Sequence, residues 1–180
     1  MILGENVRLR PIERADLPRF VEWFSDPELR RHLGVNLPFS LAQEERWFEK
    51  LLDRMAKEEV LTLTIETVDG AHIGNVSLFD IDWKDRHAEL GIAIGERDYW
   101  GQGYGTDATR TMVRVAFHDL NLHRVFLRVH PDNARAIGCY EKVGFQREGT
   151  LRESVFRDGV YLDMVVMGLL AAEFNDEKRD

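Results

Sequence analysis

Cysteine is nearly missing from this 180-residue sequence: Cys139 is the only one, which excludes an intrachain disulfide and points to a reducing, cytoplasmic setting. No apolar run approaches the roughly 18 residues of a bilayer-crossing helix, and the first residues lack a basic-then-apolar leader pattern. Linkers and repeats are missing too, so residues 1–174 read as a single domain and only the tail NDEKRD, residues 175–180, has a disordered composition. The six histidines show no metal-ligand spacing with the cysteine or the carboxylates, and no metal is assigned. An excess of basic charge is also absent. The formal charge is −8, and the acidity argues against nucleic acid, whose phosphates want a basic surface. That charge is uneven: residues 1–95 carry −6, residues 96–150 carry +1 and residues 151–180 carry −3. An anionic ligand near the middle segment and a cationic one elsewhere would suit this asymmetry, although many soluble domains are mildly acidic.

A 44 % hydrophobic content is enough for one sizeable core. NVRLRPI (6–12) alternates like a strand, and Asp16 is placed to cap a helix with its apolar stripe at Leu17, Phe20, Val21 and Phe24. Residues 28–39 read as loop. SLAQ (40–43) is a capping box that opens a helix buried through Leu41, Phe48, Leu51, Leu52 and Met55. VLTLTIET and AHIGNVSLFDI read as strands joined through Asp69-Gly70, and RHAELGIAIG (86–95) as a further strand. A helix over about 106–120 follows, with Ala108, Met112, Val113, Ala116, Phe117 and Leu120 inward, then the strand HRVFLRVH. NARAIGCYEKVG (133–144) is a short helix closed by Gly144, and a last hairpin turns at Asp158-Gly159. The pattern is α+β, with a mixed, largely antiparallel sheet of six to seven strands and about four helices.

The stretch WGQGYGT (100–106) puts glycines at 101, 103 and 105 directly before a helix start, a common way to present bare main chain to a phosphate. No Lys-Ser/Thr pair follows, which excludes a Walker-type loop. Gly103, Gly105 and Ala108 do match a dinucleotide fingerprint, with Asp132 in the region of a ribose-binding acid, and this would suit an oxidoreductase. That fingerprint, however, should follow its strand directly and belongs to a long parallel sheet, whereas hairpins occupy most of this chain. A glycine turn serving packing alone is a further reading.

Together with Asn133, Tyr140, Gly144 and Phe145 downstream, WGQGYGT resembles the GNAT superfamily of acetyl-CoA-dependent N-acetyltransferases, over nearly the whole chain and most closely the RimJ/RimL-like branch that modifies ribosomal-protein N-termini. The resemblance implies a GNAT fold and acetyl-CoA as co-substrate. It also implies that main-chain amides of the loop Gly101, Gln102, Gly103, Tyr104, Gly105 and Thr106 wrap the cofactor's diphosphate. Ile92, Ala93 and Ile94 would pair their main chain with the pantetheine arm, Asn133 would hydrogen-bond it, and Tyr140 would reach the thioester sulfur. Trp100 replaces the superfamily's usual basic or Gln residue at the loop's start. A homodimer is the assembly implied.

Making an amide from a thioester asks for a neutral amine, donors for the developing oxyanion and a proton for the leaving thiolate. Tyr140 is the acid candidate, although an aromatic three residues after Ile137 also looks like a core position. Along residues 86–95, Ala88, Leu90, Ile92 and Ile94 form the core face, while Glu89 stands opposite beside small Gly91 and Ala93, with room for a ligand. Glu89 is therefore the candidate to accept the amine proton or anchor the ammonium, and a solvated carboxylate is its plainer reading. His87 shares its face, and Asp80 and Asp82 are further anchors for a cationic substrate. Nothing near Cys139 in sequence supplies a base, so direct attack in a ternary complex is expected, with Cys139 structural. Acceptor choice is assigned to the segment DPELRRHLGVNLPFS and the terminal hairpin. A peptide N-terminus, polyamine, aminoglycoside or amino acid would each suit, and a non-catalytic acetyl-CoA sensor is the alternative function.

Overall fold

The alternating segments assemble into one eight-stranded sheet in a computed structural model that describes residues 1–33 and 37–176, with only the backbone of His32. The strands are β1 (Ile2–Leu3), β2 (Val7–Pro11), β3 (Leu61–Thr67), β4 (His72–Asp82), β5 (His87–Ile94), β6 (Arg124–Val129), β7 (Gln146–Arg157) and β8 (Val160–Leu170). Their spatial order is β1-β2-β3-β4-β5-β6-β8-β7, antiparallel throughout except for the parallel pair β5–β6. The helices are α1 (Leu17–Ser25), α2 (Pro27–Leu33), α3 (Leu41–Ala56), α4 (Tyr104–Arg114), which runs on as a π-turn Val115–Asp119, and α5 (Ala134–Val143). The α+β class is as expected. The sheet exceeds expectation by the two-residue β1, and the helices by α2.

Helices α4 and α5 cover one face, where Ala108, Met112, Val113, Ala116 and Phe117 are buried as their spacing predicts. A second cluster joins Leu17, Phe20 and Trp23 of α1, Leu29 of α2 and Phe48 and Leu51 of α3. Successive residues of a strand face opposite sides, so Leu78 of β4 enters the first core and Phe79 packs on the second.

Three local expectations are corrected. Residues 28–39 are not all loop: Asp26 Oδ1 accepts from Glu28 N at 2.9 Å and Pro27 opens α2, a helix start with proline in its first turn. Gly34 to Asn36, part of the same expectation and of the proposed acceptor segment, lie outside the described residues, as do residues 177–180 of the tail. Asp16 makes no side-chain cap for α1. Its carboxylate is spent on a bidentate pair with Arg10 (2.7 and 2.8 Å), on Glu13 N (2.9 Å) and on Thr64 Oγ1 (3.0 Å). In α3 the capping box of Ser40 and Gln43 forms, yet Leu41 and Leu52 are 44 % and 39 % exposed and Glu44 is buried instead.

The parallel pair shapes everything downstream. Strands β5 and β6 register only from His87↔Arg124 to Glu89↔Phe126, although β5 continues to Ile94 and β6 to Val129. Beyond Glu89 the two strands part. The first turn of α4 then ties back to the other end of the chain: the Asp107 carboxylate accepts from the N–H groups of Glu5 (3.1 Å), Asn6 (2.7 Å) and Val7 (3.0 Å).

Removing that carboxylate would strand three donors, so Asp107→Ala should lower stability by about 2–3 kcal/mol, read as a fall in urea midpoint at constant m-value. A second prediction concerns acid. His72 lies edge-on to the rings of Trp23 (4.8 Å) and Phe20 (5.7 Å), and burial lowers its pKa despite Asp16 at 3.4 Å, whose charge pulls the other way. Burial would raise Asp16, but Arg10 and the Glu13 N–H outweigh it and hold the carboxyl below its ordinary range. Both groups therefore take up protons more readily when unfolded. Stability should be full above about pH 6.5, decline below it as unfolded His72 charges, and decline again below about pH 4 through Asp16. Urea denaturation across pH 4.5–7.5 should show the upper slope in the native chain and its loss in His72→Gln.

Candidate active site

Two of the three glycines of residues 101–105 are required by the main-chain conformation. Gly101 (φ +73°) and Gly103 (φ +92°) are left-handed, a conformation that other residues adopt only under strain, and a Cβ at either would meet nothing. Gly105 is not left-handed, and a Cβ there would make only ordinary contacts, 3.7 Å from Ile94 and 3.9 Å from Cys139 Sγ. The turn they make leaves the N–H groups of residues 101–106 without an acceptor among the described residues; the first spent amide is Asp107 N, on Gly103 O at 3.0 Å. Unspent donors at a helix start, with the helix dipole behind them, form an anion cradle. Gly101, Gly103, Gly105 and Thr106 line a cleft of about 1080 Å³, while Gln102 turns its side chain to Asp98 O and Tyr104 stacks edge-on with Tyr99 at 5.3 Å. At its rim the Arg135 guanidinium lies 3.9 Å from the Trp100 ring centre, bringing a positive charge to the position where Trp100 supplies none.

From the glycine turn the cleft runs along the parted strands. Gly95 N donates to Ile73 O of β4 at 2.8 Å, so alternation turns the N–H and C=O of Ala93 toward β4 and those of Ile92 and Ile94 toward the open edge. Ala93 therefore offers the cleft its side chain and not its main chain, a correction to the expected run of three. The Ile94 carbonyl is already taken, by Trp100 Nε1 at 2.7 Å. Ile92 and the Ile94 N–H stay available on that edge. Asn133 lines the cleft while its Oδ1 caps α5 by accepting from Ala136 N at 3.2 Å, which leaves its Nδ2 as donor. Tyr140 lines it too. Only 7 % of its surface is exposed, its ring packs against Phe145 at 5.9 Å, and burial pushes its phenol well above the ordinary value. Burial likewise raises the Cys139 thiol, which contacts Thr109 Oγ1 at 3.9 Å, as a structural cysteine would.

Glu89 also lines the cleft, but it is not surrounded by empty space. The Phe79 ring of β4 fills the position over Gly91, where a Cβ would come within 2.7 Å, and both Glu89 oxygens accept from Arg128 at 2.8 Å. A carboxylate has about four acceptor positions, so the pairing leaves Glu89 able to bind one more donor. His87, Asp80 and Asp82 do not line the cleft: Asp80 pairs with Arg54 at 2.8 Å, and Asp82 accepts from the N–H groups of Lys84 and Asp85. Arg30 and Arg31 stay out of it as well, the first on Phe24 O at 2.6 Å and the second on Asp132 at 3.1 Å. The far end belongs to Phe20, Phe24, Phe39, Glu44 and Trp47 of the α1–α3 region, with Ser154, Val155, Arg157 and Met164 of the last hairpin. Sequence reasoning passed over Glu44 and Arg135. For Glu44 the signal was present, since it falls on the buried stripe with Phe48 and Leu51 at i+4 and i+7.

Residues 6–146 match the acetyltransferase (GNAT) domain model. The chain belongs to the GNAT acetyltransferases. Spermidine N(1)-acetyltransferase of Escherichia coli strain K12 is 31 % identical over 146 residues, covering 81 % of this chain and 76 % of that protein. Aminoglycoside N(6')-acetyltransferase type 1 of Klebsiella pneumoniae is 29 % identical, covering 82 % and 77 %. The structure of Vibrio cholerae spermidine N-acetyltransferase in complex with CoA and spermine superposes with a TM-score of 0.86 at 26 % identity, over 94 % of this chain and 98 % of that one. The protein is thus an N-acetyltransferase with acetyl-CoA as its co-substrate. The dinucleotide alternative falls with the fold, which has one parallel strand pair where that reading needs a parallel sheet, and with Asp132, which is ion-paired to Arg31.

The residues present fit the cofactor. When bound, acetyl-CoA would supply a diphosphate to hold and a thioester activated for transfer of its acetyl group. The unspent amides of residues 101–106 suit the first, and the open edge of Ile92 and Ile94 with Asn133 Nδ2 suits the arm between the two. Among the described residues no helix is long and apolar enough to cross a membrane. Gly103→Ala would have to hold a left-handed residue at about 1–2 kcal/mol of strain or abandon the turn, so its acetyl-CoA Kd should rise about tenfold in calorimetric titration.

Proposed function

We propose that this acetyltransferase transfers its acetyl group to a primary amine by direct attack, with both substrates held in the one cleft. The observation that carries the reading is continuity: unspent loop amides, open strand edge, buried tyrosine and acceptor end all line a single cavity. In this reading the amides of Gly101, Gln102, Gly103, Tyr104, Gly105 and Thr106 grip the diphosphate, and Arg135 adds its charge at the rim. Ile92, Ile94 and Asn133 align the arm. Tyr140, whose raised pKa keeps it protonated far above neutrality, donates to the leaving sulfur. Glu89, fixed by Arg128, anchors the incoming amine and accepts its proton, directly or through water.

A small-molecule acceptor is supported by the relatives that act on spermidine and aminoglycosides. The narrower expectation, a RimJ/RimL-like enzyme acting on a protein N-terminus, rests on the sequence motifs. A thiol-release assay across peptides, polyamines, aminoglycosides and amino acids separates these acceptors. An acetyl-CoA sensor would bind the cofactor and release no thiol with any of them. Tyr140→Phe should lower kcat by about 10²–10⁴-fold while the acetyl-CoA Kd stays within twofold. Unchanged turnover in that variant removes Tyr140 from the chemistry.

A further inference from the structure

Three carboxylates line the cleft among the described residues, and they are not equivalent. Glu28 is held by Arg97 at 2.5 Å and Glu89 by Arg128 at 2.8 Å. Glu44 is 4 % exposed, yet no ion pair or hydrogen bond from a described residue reaches its carboxylate, and burial is the sole influence on its ionisation. Glu44 lines the cavity. A carboxylate withdrawn from water without a donor is costly, and proteins seldom keep one that nothing will meet.

Its neighbours are aromatic. Trp47 stands at i+3 from Glu44 and so shares its side of α3. The rings then run on in contact, Trp47 to Phe20 at 6.0 Å, Phe20 to Phe24 at 6.5 Å and Phe24 to Phe39 at 5.9 Å, all lining the same cavity. Ring faces attract a desolvated cation, and a buried anion beside them completes its charge. Hydroxyl-rich molecules would instead leave their polar groups against apolar walls.

We infer that Glu44 and the rings of Phe20, Phe24, Phe39 and Trp47 seat an ammonium group of the acceptor, which makes the acceptor an amine carried on an apolar skeleton. The inference rests on the acetyl-transfer reading for the purpose of that seat, and it names the specificity element of the same cleft. Burial pushes the empty Glu44 carboxyl up, and an arriving cation reverses that push. Glu44 is thus a recognition residue, kept at a cost in stability.

The test uses n-hexylamine as probe and the full chain saturated with CoA, so that no turnover occurs. Calorimetric titration should show hexylammonium binding that Glu44→Gln weakens about 10- to 100-fold, with CoA affinity within twofold. The variant should melt no lower than the native chain, because an uncompensated carboxylate has been removed; a residue with a merely structural role would cost stability. Equal hexylammonium binding in both proteins, binding in neither, or tighter binding of kanamycin than of hexylamine would overturn the inference. Thiol release with acetyl-CoA is read separately. Release with an unchanged amine KM in Glu44→Gln removes the seat and leaves the transferase, whereas Glu44-dependent binding without release in the native chain keeps the seat and removes the proposed reaction.

Discussion

The sheet contains a single parallel contact, and its brevity is the constraint on which the site depends. Three residue pairs hold β5 to β6, after which the strands separate. Had the ladder continued to Ile94, the main chain of Ile92 and Ile94 would be spent on β6 and no edge would face the cleft. The same parting lets the chain leave β5 and turn through Gly101 and Gly103 into α4, so that the helix start opens on the gap. Strand edges are normally a liability that proteins cover. Here the exposed stretch is short, flanked by Trp100 and by α5, and of use to an extended ligand.

Charge in the cleft is arranged rather than merely abundant. The acidic chain places arginines beside most of the carboxylates that approach the cavity, Arg97 on Glu28 and Arg128 on Glu89, and a further guanidinium on the Trp100 ring near the glycine turn. The glycine-turn end thus has donors and positive charge, while the opposite end combines aromatic walls and the unpaired Glu44 carboxylate with the Arg157 guanidinium of the last hairpin, which donates to the Arg31 carbonyl. The uneven charge of the sequence, near neutral around the glycines and acidic elsewhere, was a faint trace of this polarity.

What could be read from residues alone follows from the range of the interactions involved. Gly101, Gly103 and the cap at Gly144 were legible because a left-handed main chain is a local demand that few residues meet. The strands, the α4 stripe and the hairpin at Asp158-Gly159 were legible by periodicity and turn chemistry. Helix α2 was missed although Asp26-Pro27 announces it, because its seven residues hold only Leu29 and Leu33 on the apolar side, too short a stripe to stand out. The room foreseen beside Glu89 was wrong in kind: Gly91 is small to admit Phe79 from the neighbouring strand, a cross-strand contact that no local pattern contains. Asp16 looked like a cap and proved to be the centre of a buried network with Arg10, Thr64 and His72, partners drawn from β2, β3 and β4. Glu44 was hidden by the habit of assigning charged helix residues to solvent.

Asp107 gives the first turn of α4 two obligations. On one side that turn presents unspent amides to the cleft; on the other its carboxylate gathers the N–H groups of residues 5–7 at the start of β2. The chain's opening residues and the glycine turn, some hundred positions apart in sequence, are thus fastened through one carboxylate, so the start of β2 forms one wall of the frame that holds the turn in place.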